Sequence, residues 1–154
     1  MTCVGEPIVL DLPSEASVLN LVRAALRAVA EDGRRVRLDA REVDEVQVAL
    51  QEACTNAIRH AHNGDPCRRF RVELRRLENQ LEVLVRDTGA PFDLDAKKPP
   101  LPEALQEGGY GIRIMRSWMD EVELTRDDTG NVLRLLPRCG SGARAAARSR
   151  CRRG

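Results

Sequence analysis

The stretch 46–62, VQVALQEACTNAIRHAH, constrains this chain more than any other. Val46, Leu50, Ala53, Ala57 and Ala61 recur at intervals of three or four, which puts them on one buried face of a long helix. Glu52, Asn56 and His60 recur every fourth residue on a different face, each about one turn from the next. A carboxylate and an amide one turn apart, beside side chains small enough for close packing, suit a hydrated metal ion and a water. A solvated polar edge accounts for the same residues, and the helix taken alone favours that plainer account.

The flanking chain supplies a sheet for this helix to lie on. Residues 6–12, EPIVLDL, read as a first strand closed by Pro13. Ser14 is a candidate N-cap for an amphipathic helix marked by Val18, Leu19, Val22, Leu26 and Val29 and ending near Gly33. Asp39 and Glu42 form a capping-box pair at the start of the central helix, and Asn63-Gly64-Asp65-Pro66 stops it. Residues 69–77 alternate charged and apolar, Glu78-Asn79-Gln80 turn, and residues 81–85 return, which makes an antiparallel hairpin. A Pro-containing loop over 90–107 leads to Gly108-Gly109-Tyr110-Gly111 and a helix over 112–119. Strands over 122–125 and 132–136 complete the set, joined by a turn at 127–131. This pattern predicts a two-layer α/β sandwich: a mixed, mostly antiparallel sheet of about five strands with three helices on one face. Residues 1–137 form the expected domain, and 138–154 an Arg-rich, disordered tail.

Composition removes several function classes. With aromatics at 3% of 154 residues, the core has to be built from Leu, Val, Ile and Ala. No apolar run approaches the ~20 residues of a membrane span. The N-terminal residues lack the pattern of a signal peptide, so a cytoplasmic protein is expected. The five cysteines (Cys3, Cys54, Cys67, Cys139 and Cys151) are odd in number and lack zinc spacing, so neither a disulfide nor a zinc site is expected. Six arginines and no acid fall in 138–154; since the whole chain is at +1, residues 1–137 carry −5 and do not suggest direct nucleic-acid binding.

Three stretches carry chemistry. Glu52-x-x-x-Asn56 is the first. The second is Asp87-x-Gly89 after a strand: a carboxylate there can accept the hydrogen bond of an adenine amino group, and a glycine two residues on lets a flat base approach the backbone. An ordinary Asp-x-Gly turn explains the same residues. The third, Gly108-Gly109-Tyr110-Gly111, can form a nest of backbone amides at a helix start, where anions bind; a flexible linker is the alternative. No Walker lysine follows it, and no strand immediately precedes it as the dinucleotide fingerprint requires.

Taken together and in this order, EACTNAIRHA (52–61), RDTGAPFD (86–93) and EGGYGIRIMRSWMDEVEL (107–124) resemble the GHKL ATPase superfamily with its Bergerat nucleotide-binding fold. The resemblance is strongest to the anti-sigma factor serine/threonine kinases of the RsbW type and spans about residues 6–137. It implies ATP and Mg²⁺ as cofactors. Asn56 would ligate the metal. Glu52 would be the catalytic base or orient the attacking hydroxyl. Asp87 would take the adenine amino group, with Gly89 against the ring. Gly108, Gly109, Gly111 and Ile112 would contact the nucleotide at the helix start, and residues 90–108 would be the ATP lid. His60 matches a common family position and reads as a packing or helix-end residue, whereas His62 and Tyr110 receive no role. The sequence departs from the family at Ala90-Pro91-Phe92, where a second glycine is lacking, and at Asn131-Val132, where many relatives carry a threonine.

The resemblance implies a kinase and anti-sigma factor that phosphorylates an anti-anti-sigma protein of the STAS type in a partner-switching system, and it suggests a homodimer. A catalytically weak nucleotide-binding module that sequesters a sigma factor or another regulator is the competing function. A kinase serving secretion or second-messenger control is a third. Fold alone does not separate them, because they differ in the partner.

Overall fold

A computed structural model describes residues 5–31, 38–95 and 110–138 of the chain. Five strands form one sheet: β1 (Ile8–Pro13), β2 (Arg69–Arg76), β3 (Leu81–Asp87), β4 (Met119–Asp127) and β5 (Gly130–Pro137), in the order β1-β2-β3-β5-β4. Among the described residues every pairing is antiparallel, where a mixed, mostly antiparallel sheet was expected. The β2–β3 hairpin closes with the Leu77 N–H donating to the Gln80 carbonyl at 2.8 Å. The β4–β5 turn closes around Asp127, whose Oδ1 accepts from the Thr129 N–H and hydroxyl at 2.9 and 2.6 Å.

The helices are α1 (Leu19–Glu31), α2 (Ala40–Asn56) and α3 (Tyr110–Trp118). Asp39 caps α2 as predicted: its Oδ1 accepts from the Glu42 N–H, and Glu42 Oε2 accepts from the Asp39 N–H, both at 2.8 Å. Val46, Ala49, Leu50, Ala53 and Cys54 of α2 are buried against α1 on one side, α3 on the other and the sheet below. Val72, Leu74, Val83, Val85, Leu133 and Leu135 supply the sheet's half of the core. Each large apolar side chain fully buried in this way contributes roughly 1.5–3 kcal/mol.

The period of two sends the alternate strand residues to the other face, which carries charge. There Glu73 pairs with Arg75 and Arg86, and Arg86 continues to Asp127. Arg134 pairs with Glu82 and Glu121. Leu84, cross-strand from both Glu73 and Arg134, is buried beneath this layer. Helices on one side and an ion-pair lattice on the other give the expected two-layer sandwich.

Three local expectations change. Ser14 does not cap α1: a 3₁₀ turn (Ala16–Val18) precedes that helix, and the Ser14 hydroxyl bonds elsewhere. The central helix does not stay α-helical to His62, because Ala57–Ala61 widen into a π turn with the His62 N–H donating to the Ala57 carbonyl at 3.1 Å. The predicted stop follows at Asn63 and Gly64, with φ of 53° and 70°. Finally, α3 (Tyr110–Trp118) runs straight into β4 at Met119, with a bulge between Met119 and Glu121, where a helix over 112–119 and a strand over 122–125 were expected. Most of the expected lid and the Arg-rich tail lie outside the described residues. Among the described residues no helix is long and apolar enough to cross a membrane.

Candidate nucleotide site

The site assembles around the last two turns of α2. Glu52 and Asn56 are half-buried and one helical turn apart, as their spacing predicts. Asn56 makes no capping hydrogen bond to the turn that follows it. The π turn removes His60 from their line, because i→i+5 bonding advances each residue less than the α-helical rotation does. His60 is exposed in the last turn of the segment, which bears out the helix-end alternative of its reading and not the packing one.

Two glycines join this segment to the rest of the site, both by close approach. A Cβ on Gly111, in the first turn of α3, would stand 2.7 Å from Glu52 Oε2. The first turn of α3 therefore lies directly on the catalytic candidate. A Cβ on Gly89 would stand 2.5 Å from the Ala61 Cβ and 2.7 Å from its Cα. The side of Gly89 on which a side chain would project is filled by the π turn. One continuous segment thus touches the helix start through residue 52 and the Asp-x-Gly loop through residue 61. Ile112 is half-buried against the core beside Gly111; Gly108 and Gly109 lie outside the described residues.

Asp87 ends β3, almost fully buried. Its Oδ1 accepts from the Gly89 N–H at 2.8 Å and from Asn131 Nδ2 at 2.9 Å. Both bonds fall on one oxygen, so Oδ2 takes no bond from the described residues. Asn131 is itself buried, with its orientation fixed from behind: Arg126 Nη1 donates to its Oδ1 at 2.9 Å and to the Gly89 carbonyl at 3.0 Å. Nδ2 also donates to the Ala90 carbonyl at 3.0 Å. Gly130, at φ +143°, leaves no room for a side chain, since a Cβ would stand 2.0 Å from the Asp87 carbonyl oxygen. Asn131 stands out in the sequence only as a departure from a threonine, and Arg126 not at all; neither can be read there as a support for Asp87. Their signal lies in strand register, Asp87 opposite Asn131 and Asn131 opposite Arg126, which requires the pairing to be known.

The loop after Gly89 leaves the sheet toward α3, and Arg116 Nη2 of that helix holds Asp95 Oδ1 at 2.7 Å. That ion pair engages the Arg116 guanidinium. Arg113, one turn earlier on the same helix, is exposed.

The donor set fits Mg²⁺ bound with a nucleotide. Glu52 and Asn56 offer hard oxygen atoms, and no group of three or more His, Cys, Asp or Glu gathers among the described residues. Magnesium is commonly held that way, by one or two protein oxygens with phosphates and waters completing its shell.

Comparison with known proteins gives a consistent result. Residues 13–136 match the profile of the histidine kinase-like ATPase domain. The serine-protein kinase RsbW of Bacillus velezensis is 34% identical over 125 residues, covering 76% of each chain. RsbW of Bacillus subtilis is 32% identical over 125 residues with the same coverage. RsbW of Listeria innocua is 29% identical over 141 residues, covering 86% of this chain and 88% of that protein. Among solved structures, the RsbU and RsbW domains of a Mycobacterium tuberculosis protein superpose with a TM-score of 0.61 at 19% identity. That match covers 88% of this chain and 33% of the other, and it concerns the fold.

Proposed function

This chain belongs to the histidine kinase-like ATPase family, among the serine-protein kinases of the RsbW type, and from that membership we propose how its site works. It is an ATP-dependent serine/threonine protein kinase that doubles as an anti-sigma factor. The observation that carries the reading of the site is the contact of Gly111 with Glu52: it sets the first turn of α3, whose N-terminal end suits phosphates, on the turn bearing the acid and the amide. From residue 52 to residue 61 the segment spans roughly 13 Å at helical rise, a length suited to a nucleotide laid from terminal phosphate to base.

Asp87 accepts the adenine amino group on Oδ2, since Oδ1 is already committed to Gly89 and Asn131. Gly89 and Ala90, held by Arg126 and Asn131, border the base. Gly108, Gly109, Gly111 and Ile112 surround the phosphates, and Asn56 holds Mg²⁺. Bound there, Mg²⁺ would supply neutralisation of the phosphate charge, the main requirement of phosphoryl transfer beyond positioning. Glu52, next to Gly111, accepts the proton of the attacking serine or threonine hydroxyl, or orients that hydroxyl.

The substrate in this reading is an anti-anti-sigma protein of the STAS type, and the protein released or held in exchange is a sigma factor or another regulator. The kinase works as a homodimer in the cytoplasm, where ATP is supplied.

Titration calorimetry with Mg·ATP and a ³²P transfer assay to the cognate partner test this. Asn56→Ala should lose Mg²⁺-dependent affinity. Glu52→Gln should bind Mg·ATP within about threefold of wild type yet transfer at least ~10²-fold more slowly, the contribution expected of a positioned base. Equal transfer by Glu52→Gln and wild type removes Glu52 from the chemistry. Binding of a sigma factor with no transfer by wild type makes the protein a nucleotide-dependent binder instead.

A further inference from the structure

His62 is buried to 1% exposure at the point where β1, the π turn and the Asp-x-Gly loop meet. Its Nδ1 lies 2.5 Å from the hydroxyl of Ser14, just past β1 and also 1% exposed. Its Nε2 lies 3.3 Å from the Thr88 backbone nitrogen and 3.2 Å from the Thr88 hydroxyl. A backbone N–H can only donate, so Nε2 is the acceptor. The neutral ring then carries its proton on Nδ1 and donates it to Ser14. Only this tautomer satisfies the Thr88 N–H as well as Ser14, and the ring ties Thr88, the middle residue of Asp87-Thr88-Gly89, to Ser14 at the end of the edge strand β1.

Resting on the ATP-site reading above, we propose that neutral His62 is a positioning residue for the nucleotide, fixing the Asp87–Gly89 loop through the Thr88 N–H so that protonation of its ring loosens the adenine subsite. The charged groups around it are few. Arg68 donates to the Ala61 carbonyl at 3.2 Å and to the Thr88 carbonyl and hydroxyl at 2.9 Å, so a guanidinium shares the pocket. Asp87 from β3 and Asp65 from the turn after the helix oppose that charge. Burial, with Arg68 adding to it, leaves the imidazole more acidic than an ordinary histidine. A protonated ring offers an N–H where Thr88 needs an acceptor. The Thr88 hydroxyl can accept from that N–H, but the loop amide loses its acceptor and is left unpaired beside a buried ring, which costs more than a bond exchanged with water. Arg68 still holds the Thr88 carbonyl, so release of the loop is partial and the fold survives it.

The test is Mg·ADP affinity of the full chain from pH 7.5 to 5.0 for wild type, His62→Gln, His62→Leu and Ser14→Ala. Glutamine can accept from the Thr88 N–H without titrating. Dividing each variant's affinity by that of wild type cancels the nucleotide's own protonation. His62→Gln should bind within about threefold of wild type at pH 7.5 and overtake it as pH falls, while His62→Leu should be about tenfold weaker at pH 7.5, as expected for an orphaned amide. Ser14→Ala, which removes the anchor without touching the loop, should lose affinity severalfold and serves if His62→Leu does not fold. Imidazole ¹⁵N spectra at pH 7.5 should display the Nδ1–H tautomer. A ratio of His62→Gln to wild type that stays constant with pH, or an Nε2–H ring, overturns the proposal while leaving wild-type Mg·ADP binding intact. Wild type that binds no Mg·ADP at any pH sinks the nucleotide-site reading first, and the positioning role with it.

Discussion

Glycines 89 and 111 both exclude a side chain, yet they differ in what they exclude, and the difference separates stability from chemistry. At Gly89 the first obstacles to a methyl are the Cβ and Cα of Ala61, which cannot move without shifting the π turn. Gly89→Ala should cost about 1–3 kcal/mol, as overpacking against backbone does, and appear as a lower Tm. At Gly111 the obstacle is Glu52 Oε2, the far end of a flexible side chain, which can swing aside. Alanine also suits a helix better than glycine, by about 0.5–1 kcal/mol. Gly111→Ala should therefore keep or raise Tm while the displaced carboxylate lowers the transfer rate. Differential scanning fluorimetry beside the ³²P assay checks both; a destabilised Gly111→Ala with normal transfer would contradict the contact. The residues themselves were legible in the sequence, but the reason for Gly89 was not. Spacing could suggest room for a base, and only the fold reveals that Ala61 fills the side-chain position.

At the scale of elements, the sequence predicted best where the determinants are local. The Asp39/Glu42 capping box is an example, since both partners lie within one turn and the bonds at 2.8 Å follow from the spacing. Asp39→Ala should cost about 1 kcal/mol, as loss of an N-cap typically does, read as a lower urea midpoint with an unchanged m-value. Ser14 carries the same local signal and misleads, because its hydroxyl finds His62, 48 residues away, instead of the nearby backbone. The π turn escapes local reading for a related reason. Ala57 and Ala61 fit a 3.6-residue period as well as a wider one, and the choice is made by packing against Gly89 and by His62, which closes the turn. The start of β4 was hidden by its bulge, since Met119, Asp120 and Glu121 do not alternate where the register shifts. Elements closed by neighbours in sequence were readable, while those closed by partners across the sheet were not. Asn131 and Arg126, which orient Asp87, belong with the second kind.

For the whole molecule, its two faces predict two acid transitions in stability. On the helix side, His62 has its pKa lowered from 6.5, so the folded state binds fewer protons than the unfolded one below that pH. Its contribution is complete above pH 6.5 and declines as pH falls toward its folded value, at no more than about 1.4 kcal/mol per pH unit. On the sheet side, burial pushes the Glu73 carboxyl up, but Arg75 and Arg86 outweigh it and hold the group below 4.5. Asp127 is drawn down to about 2 by the Thr129 hydroxyl and N–H and then by Arg86. Their contributions are present above the ordinary carboxylate range and are lost as pH falls through the lowered values. Urea unfolding across pH 8 to 2 should thus give a plateau, a first decline beginning near 6.5 and a second, steeper one below about 4.5, because carboxylates protonate only there. The two steps are separable by substitution. His62→Gln should remove the first and leave the second, whereas Asp127→Asn should flatten the lowest part of the second and leave the first. A single transition below pH 4.5 in wild type would mean that His62 has the same pKa folded and unfolded, and would overturn the account of its burial beside Arg68.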